Sequence, residues 1–176
     1  GEGEGELPVA ECPAGSVLSQ LPPALDSASY TVHQSNTGSR RFADNFGGLA
    51  APIGGVEWGG GGGAAAAAPC DLPEGDFTIT FFADDGGLPG AVVATRTVTP
   101  TRSFFGTATG SVGIYEYEAA FAESVVLAEG WLAIAFDGAD TCIFNWSKSL
   151  DGDGAGAVDN DGFASAGIDL GFCLLE

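Results

Sequence analysis

Residues 77–98 read FTITFFADDGGLPGAVVATRTV, and this stretch decides the fold. From Phe77 to Ala83 the side chains alternate. Phe77, Ile79 and Phe81 fall on one side and Thr78, Thr80 and Phe82 on the other, the two-residue period of an extended strand. Asp84 to Gly90 (DDGGLPG) then gathers the residues that turn a chain: Gly tolerates positive φ, and Asp bonds its own backbone. Ala91 to Val98 is β-branched again and reads as the returning strand. Strand, turn and strand make an antiparallel hairpin.

The same grammar repeats on both sides of the hairpin. Before it, Tyr30–Gln34, Arg40–Phe46 (RRFADNF) and Ile53–Trp58 are strand-like. After it come Ser111–Phe121, Ser124–Ala128, Trp131–Phe136 (WLAIAF), Thr141–Ser147 (TCIFNWS) and Ile168–Leu175. In IYEYE, Tyr115 and Tyr117 face one way while Glu116 and Glu118 face the other. Ser16 to Leu25 holds the first apolar residues, and Pro22-Pro23 stops any helix there. No segment keeps a 3.6-residue period for three turns. The expected fold is all-β, an antiparallel β-sandwich, and a jelly roll suits the strand spacing. The expected organisation is an acidic Gly/Glu arm over 1–15, flexible because it has little to bury, and one sandwich domain over 16–176.

Three stretches break the strand grammar. The arm reads GEGEGELPVA; Gly59–Gly63 and Ala64–Ala68 form unbroken blocks; Leu150–Gly162 is acidic and Gly-rich. The Gly/Ala block has no side-chain pattern and is expected to be a flexible loop without function. The acidic stretch is expected to be one long loop.

Composition limits the function classes. Among 176 residues, 5 Lys and Arg stand against 24 Asp and Glu, a net charge of −19. Such a chain repels phosphate and anionic bilayers, which excludes nucleic acid and disfavours membrane surfaces. No apolar run reaches the roughly 18 residues of a membrane helix, so no membrane insertion is expected. Leu, Ile, Val and Phe are 42 of the 176, enough for a core. The sequence opens at Gly1 without a Met, as expected of a cleaved leader or a trimmed chain. Cys12, Cys70, Cys142 and Cys173 are even in number and contain no C-x-x-C pair, so two disulfides and a secreted, extracellular or cell-surface location are expected. Of three possible connectivities, Cys142–Cys173 with Cys12–Cys70 is favoured, because Cys142 and Cys173 both lie in strand-like runs of the C-terminal half.

RRFADNF, GVEWGG, FTITFFADDGGLPGAVVA, IYEYEAAF, VVLAEGWLAIAF, FNWS and DLGFCLL occur in that order. Together they resemble a family of secreted bacterial β-sandwich domains, often sorted to the cell surface. The resemblance spans roughly Ser16 to the end. It implies an extracellular sandwich and brings no catalytic residues. The acidic arm and the Gly/Ala block depart from its pattern.

Candidate chemistry is sparse. Asp151, Asp153, Asp159 and Asp161 alternate with Gly, a pattern that suits calcium, although Ala155 and Gly162 break the EF-hand register. A solvated acidic loop explains the same residues. Asp84-Asp85-Gly is a weaker version, better read as a β-turn. Asn145-Trp146-Ser147 is an N-glycosylation acceptor sequence. Glu116 and Glu118, with Glu57, offer paired carboxylates of the kind that hydrolyse glycosides, but no further acid supports the pair. His33, the one histidine, sits in a Ser/Asn/Gly-rich stretch and is expected on a surface loop. Trp131 and Trp146 lie in apolar strands and are expected in the core; Trp58 borders the glycines and is the candidate exposed sugar platform.

No catalytic constellation emerges, so the chain is read as non-enzymatic. The expected function is a structural subunit of an extracellular assembly, a homopolymer built when Leu7 and Val9 of the arm add a strand to a neighbour's sheet edge. The alternative is a carbohydrate-binding or adhesion module using Trp58 and loop acids, with glycans as partners. Calcium would offset acid–acid repulsion between subunits.

Overall fold

A computed structural model describes residues 9–25, 30–63, 69–108, 112–138 and 141–176. The described residues contain no helix. They form fourteen strands. The first seven are β1 (Ser16–Gln20), β2 (Val32–Gln34), β3 (Arg41–Phe46), β4 (Ile53–Gly63), β5 (Phe77–Asp84), β6 (Pro89–Val98) and β7 (Thr101–Ala108). The others are β8 (Val112–Val125), β9 (Gly130–Phe136), β10 (Ile143–Ser149), β11 (Ala157–Asp159), β12 (Phe163–Ser165), β13 (Asp169–Leu170) and β14 (Phe172–Leu175).

Two antiparallel sheets pack face to face. The six-stranded sheet runs β12-β11-β3-β9-β5-β6. The eight-stranded sheet is built around β4. One edge of β4 pairs with β8, which pairs in turn with β7. Its other edge is shared end to end by β14 (Gly55–Trp58) and β10 (Gly60–Gly63). β1 flanks β14, and β2 and β13 flank β10. The order β2-β10-β4-β8 facing β3-β9-β5-β6 is that of a jelly roll, in which the chain crosses between sheets at nearly every step.

The hairpin that sets the sequence reading is β5–β6. Gly86 and Gly87 at its turn have φ of 67° and 88°, where a side chain is strained. Phe77, Ile79 and Phe81 enter the core between the sheets. There Phe77 meets Trp58, Tyr117, Phe136 and Phe144 at ring separations of 5.0–5.3 Å, and Trp58 stacks on Tyr117 at 5.5 Å. Phe82 points the opposite way, into a second apolar cluster on the outer face of the six-stranded sheet with Trp131, Ala133 and Ala157. Buried on both faces, Trp131–Phe136 reads as a continuous apolar run rather than an alternating one.

Several expectations are corrected. Gly59–Gly63 is not a loop; it is the second half of β4, in the centre of the large sheet. Glycine is required by close approach. A Cβ on Gly60 would overlap the Phe144 ring and the Asn145 carbonyl, and one on Gly62 would strike the Cys70 backbone and lie 2.8 Å from Cys142 Sγ. Ala64–Ala68 lies outside the described residues. The stretch 150–162 is not one loop, since β11 lies within it and forms a hairpin with β12. The disulfides are Cys12–Cys173 and Cys70–Cys142, not the favoured pairs. Cys173 lies on β14 beside β4, bonded there to Cys12, and Cys142 precedes β10 at the far end of β4, bonded to Cys70. Trp131 and Trp146 are buried as expected. Trp58 is buried too, at 1% exposure, and cannot serve as a platform. His33 lies in β2 rather than on a loop, paired with Trp146. Its ring is half-buried, and burial together with nearby Lys148 lowers its pKa.

Candidate functional site

The outer face of the eight-stranded sheet differs from every other surface. Along β4, Val56 and Trp58 turn inward, so Glu57, Gly59, Gly61 and Gly63 face outward. Four outward positions hold one side chain, which leaves a shallow floor. On β8 the alternation places Tyr115 and Tyr117 inward and Glu116 and Glu118 outward, as IYEYE predicts. Register completes the set: Glu57 stands directly opposite Glu118, and Gly59 opposite Glu116. Three carboxylates therefore gather on one face, with Glu57 partly buried. Burial, then Glu116 and Glu118, pushes the Glu57 carboxyl up to about 7, and burial raises Glu116. Like charges directly opposite on a sheet are unfavourable, so the cluster costs stability.

β7 brings the cation. Arg102 lies opposite Tyr117 on β8. Its Nη1 donates to the Leu72 carbonyl at 2.5 Å, and its guanidinium sits 4.8 Å from the Tyr115 ring centre. Two recesses lie on either side of the β7–β8 pair at Thr101, Arg102 and Tyr117. One lies on the outer face among Glu57, Ser103, Glu116 and Glu118; the other lies on the flank, between Pro73–Gly75 and Thr99–Pro100. The Tyr117 hydroxyl is buried beside the Arg102 guanidinium. Burial pushes its pKa to about 12.

The expected site residues are scattered. Asp159 forms an ion pair with Arg41 at 2.7 Å and accepts from Gly162 N–H. Asp161 occupies the β11–β12 turn at φ 69°. Asp153 accepts from Asn45 and Ala155, and Asp151 is exposed. Each pair belongs to a different local turn. Among the described residues no group of three or more His, Cys, Asp or Glu is placed to hold a metal ion. Asn145 is half-buried on β10 with Nδ2 donating to the Ile143 carbonyl, and Ser147 is buried and bonded to the Tyr30 hydroxyl at 2.7 Å. Asp84 caps its turn, accepting from Trp131 Nε1 and Gly87, and the Trp131 bond in particular lowers its pKa. Of the arm residues, Val9 is exposed and Leu7 lies outside the described residues.

Sequence reading found Glu57, Glu116 and Glu118 but missed Arg102, Tyr117 and the whole of β7. TRSFFGTA shows no clean polar–apolar alternation, and its place is set by pairing with β8.

The two disulfides indicate an oxidising environment. Among the described residues no helix is long and apolar enough to cross a membrane. No protein-family model matches the chain, and neither a curated protein nor a solved structure is significantly similar to it. Its function is therefore argued from its own residues.

Proposed function

We propose that the protein is a secreted, non-enzymatic structural subunit that joins copies of itself into an extracellular or cell-surface assembly. The acidic N-terminal segment of one copy adds as a strand to an open sheet edge of the next. β7 carries this reading. It ends the eight-stranded sheet, pairing with β8 alone among the described strands, and Phe104 on it is 62% exposed. β6 ends the other sheet and exposes Val92 and Val93. Long edges with exposed apolar side chains are templates for strand addition unless something covers them.

The segment ahead of Cys12 suits the edge. Cys12 is fixed to β14, and the eleven residues before it reach about 36 Å when extended. In a strand Leu7 and Val9 share a face, apolar to match Phe104, while Glu2, Glu4 and Glu6 share the other. A head-to-tail contact of this kind does not close on itself and builds a filament. Negative-stain electron microscopy and sedimentation of the concentrated protein test the reading. Ordered polymers are expected, lost on deletion of residues 1–9 and on Phe104→Asp. A protein that stays monomeric at every concentration, or polymers that survive both changes, would overturn it.

A further inference from the structure

We infer that the open edge of β6 pairs with the β6 edge of a second copy of this chain, joining two six-stranded sheets into one across a two-fold axis. The contact uses β6 rather than β7, and it does not rest on the docking of the N-terminal segment.

Charge singles out this edge. Between Asp85 and Glu116 the sequence holds no acid, although the chain holds 24. That stretch supplies all of β6 and β7. Behind β6 lie β5, whose one acid is Asp84 at its end, and β9, which has none. Behind β7 lies β8, which carries Glu116 and Glu118. Two copies at −19 each repel, and the repulsion is least where acid-free strands meet. Self-pairing through β7 would set the glutamates of two β8 strands three strand spacings apart, about 14 Å. Self-pairing through β6 brings no such acids together. β12, at the opposite end of the same sheet, offers three residues against ten in β6.

β6 is also complementary to itself. An antiparallel pair of identical strands has a two-fold axis. Centred on the midpoint of Pro89–Val98, it sets Val93 opposite the partner's Ala94 and Arg96 opposite the partner's Ala91. Val92 and Val93, 60% and 46% exposed, are then covered. Arg96 donates to the carbonyls of Glu123 and Thr95 and has no ion pair among the described residues. Asp85 is exposed, also has no ion pair among them, and lies beside Gly90, the neighbour of Ala91. Arg96 of each copy therefore comes beside the partner's Asp85, and the attraction is made twice. Such a contact is isologous and closes at two copies.

The experiment is sedimentation velocity, over a range of concentrations, of the full chain carrying Phe104→Asp, which takes docking on β7 out of the readout. A dimer is expected. Val92→Lys with Val93→Lys sets cations against each other across the edge and should weaken dimerisation at least about tenfold without lowering the melting temperature. Asp85→Arg should weaken it about three- to tenfold, the worth of two exposed ion pairs, and Arg96→Asp likewise. The chain with both changes should recover the loss. If Arg96→Asp does not fold, the valine pair and Asp85→Arg decide. Deletion of residues 1–9 should leave the dimer intact. A monomer at every concentration, a dimer indifferent to the valine substitutions, or a dimer lost with residues 1–9 would overturn the inference. Absence of polymers from the chain with Phe104 intact would overturn the assembly reading alone.

Discussion

The two outer faces of the sandwich are finished differently. On the six-stranded sheet, Phe82, Trp131 and Phe163 build a second apolar cluster, with the Arg41 guanidinium 5.5 Å from the ring centres of both Phe82 and Phe163. Asp159 holds Arg41 in place. That face is closed, its charge paired over aromatic rings. The outer face of the eight-stranded sheet keeps three carboxylates without an ion pair among the described residues, over a floor of glycines, and its β7 edge has no partner among the described strands. One fold thus devotes one face to stability and leaves the other at a cost in stability. A surface that is costly to maintain and unneeded for folding is where binding is sought.

The comparison breaks most easily on the closed face. Trp131→Ala should cost about 3–5 kcal/mol in chemical denaturation, because it empties a buried site and leaves Asp84 without its indole donor. A loss below 1 kcal/mol would mean that this cluster is ornamental. Asp44 tests the flank where the sheets meet. It is fully buried on β3, accepting from Gln20 Nε2 and Leu170 N–H at 2.6 Å each and from Asn45 N–H at 2.9 Å. Burial, with Asp169 adding to it, outweighs these donors and pushes its pKa up to about 7. The native state therefore keeps a proton that the unfolded chain releases near pH 4. Stability should fall as pH rises from about 4 to about 7, by up to about 4 kcal/mol. Asp44→Asn should flatten this slope, and melting curves with an unchanged slope would refute the assignment.

Along β4 the effects are smaller, and they differ in sign between the inner and the outer side of the strand. Gly60→Ala, on the inner side of β4, forces the buried Phe144 ring aside and should cost about 1–3 kcal/mol; a neutral result would show that β4 has slack. Glu57→Gln removes one of three like charges. It should raise stability at pH 8 by about 0.5–1 kcal/mol, and the gain should vanish by pH 4, where Glu57 is already neutral. A loss of stability at pH 8 would mean that Glu57 has a favourable partner after all.

The closed half of the molecule was legible in the sequence and the open half largely was not. FTITFFA and WLAIAF declare themselves because their side chains pack, and packing leaves a periodic trace. IYEYE likewise fixed which way Glu116 and Glu118 point. Gly59–Gly63 leaves no such trace, for its place in β4 is dictated by Phe144, Asn145 and the Cys70–Cys142 bridge, residues distant in sequence. The disulfide pairing failed for the same reason, since it depends on which strand lies beside β4. Arg102 acquires meaning only once β7 is paired with β8.

Hydrogen–deuterium exchange of the β7 amides, followed as a function of protein concentration, tests the central claim most directly. In dilute solution the amides on its open edge should exchange rapidly. At high concentration they should become protected, and deletion of residues 1–9 should abolish that protection. Amides of β7 that exchange at the same rate at every concentration, with or without the N-terminal segment, would contradict the account.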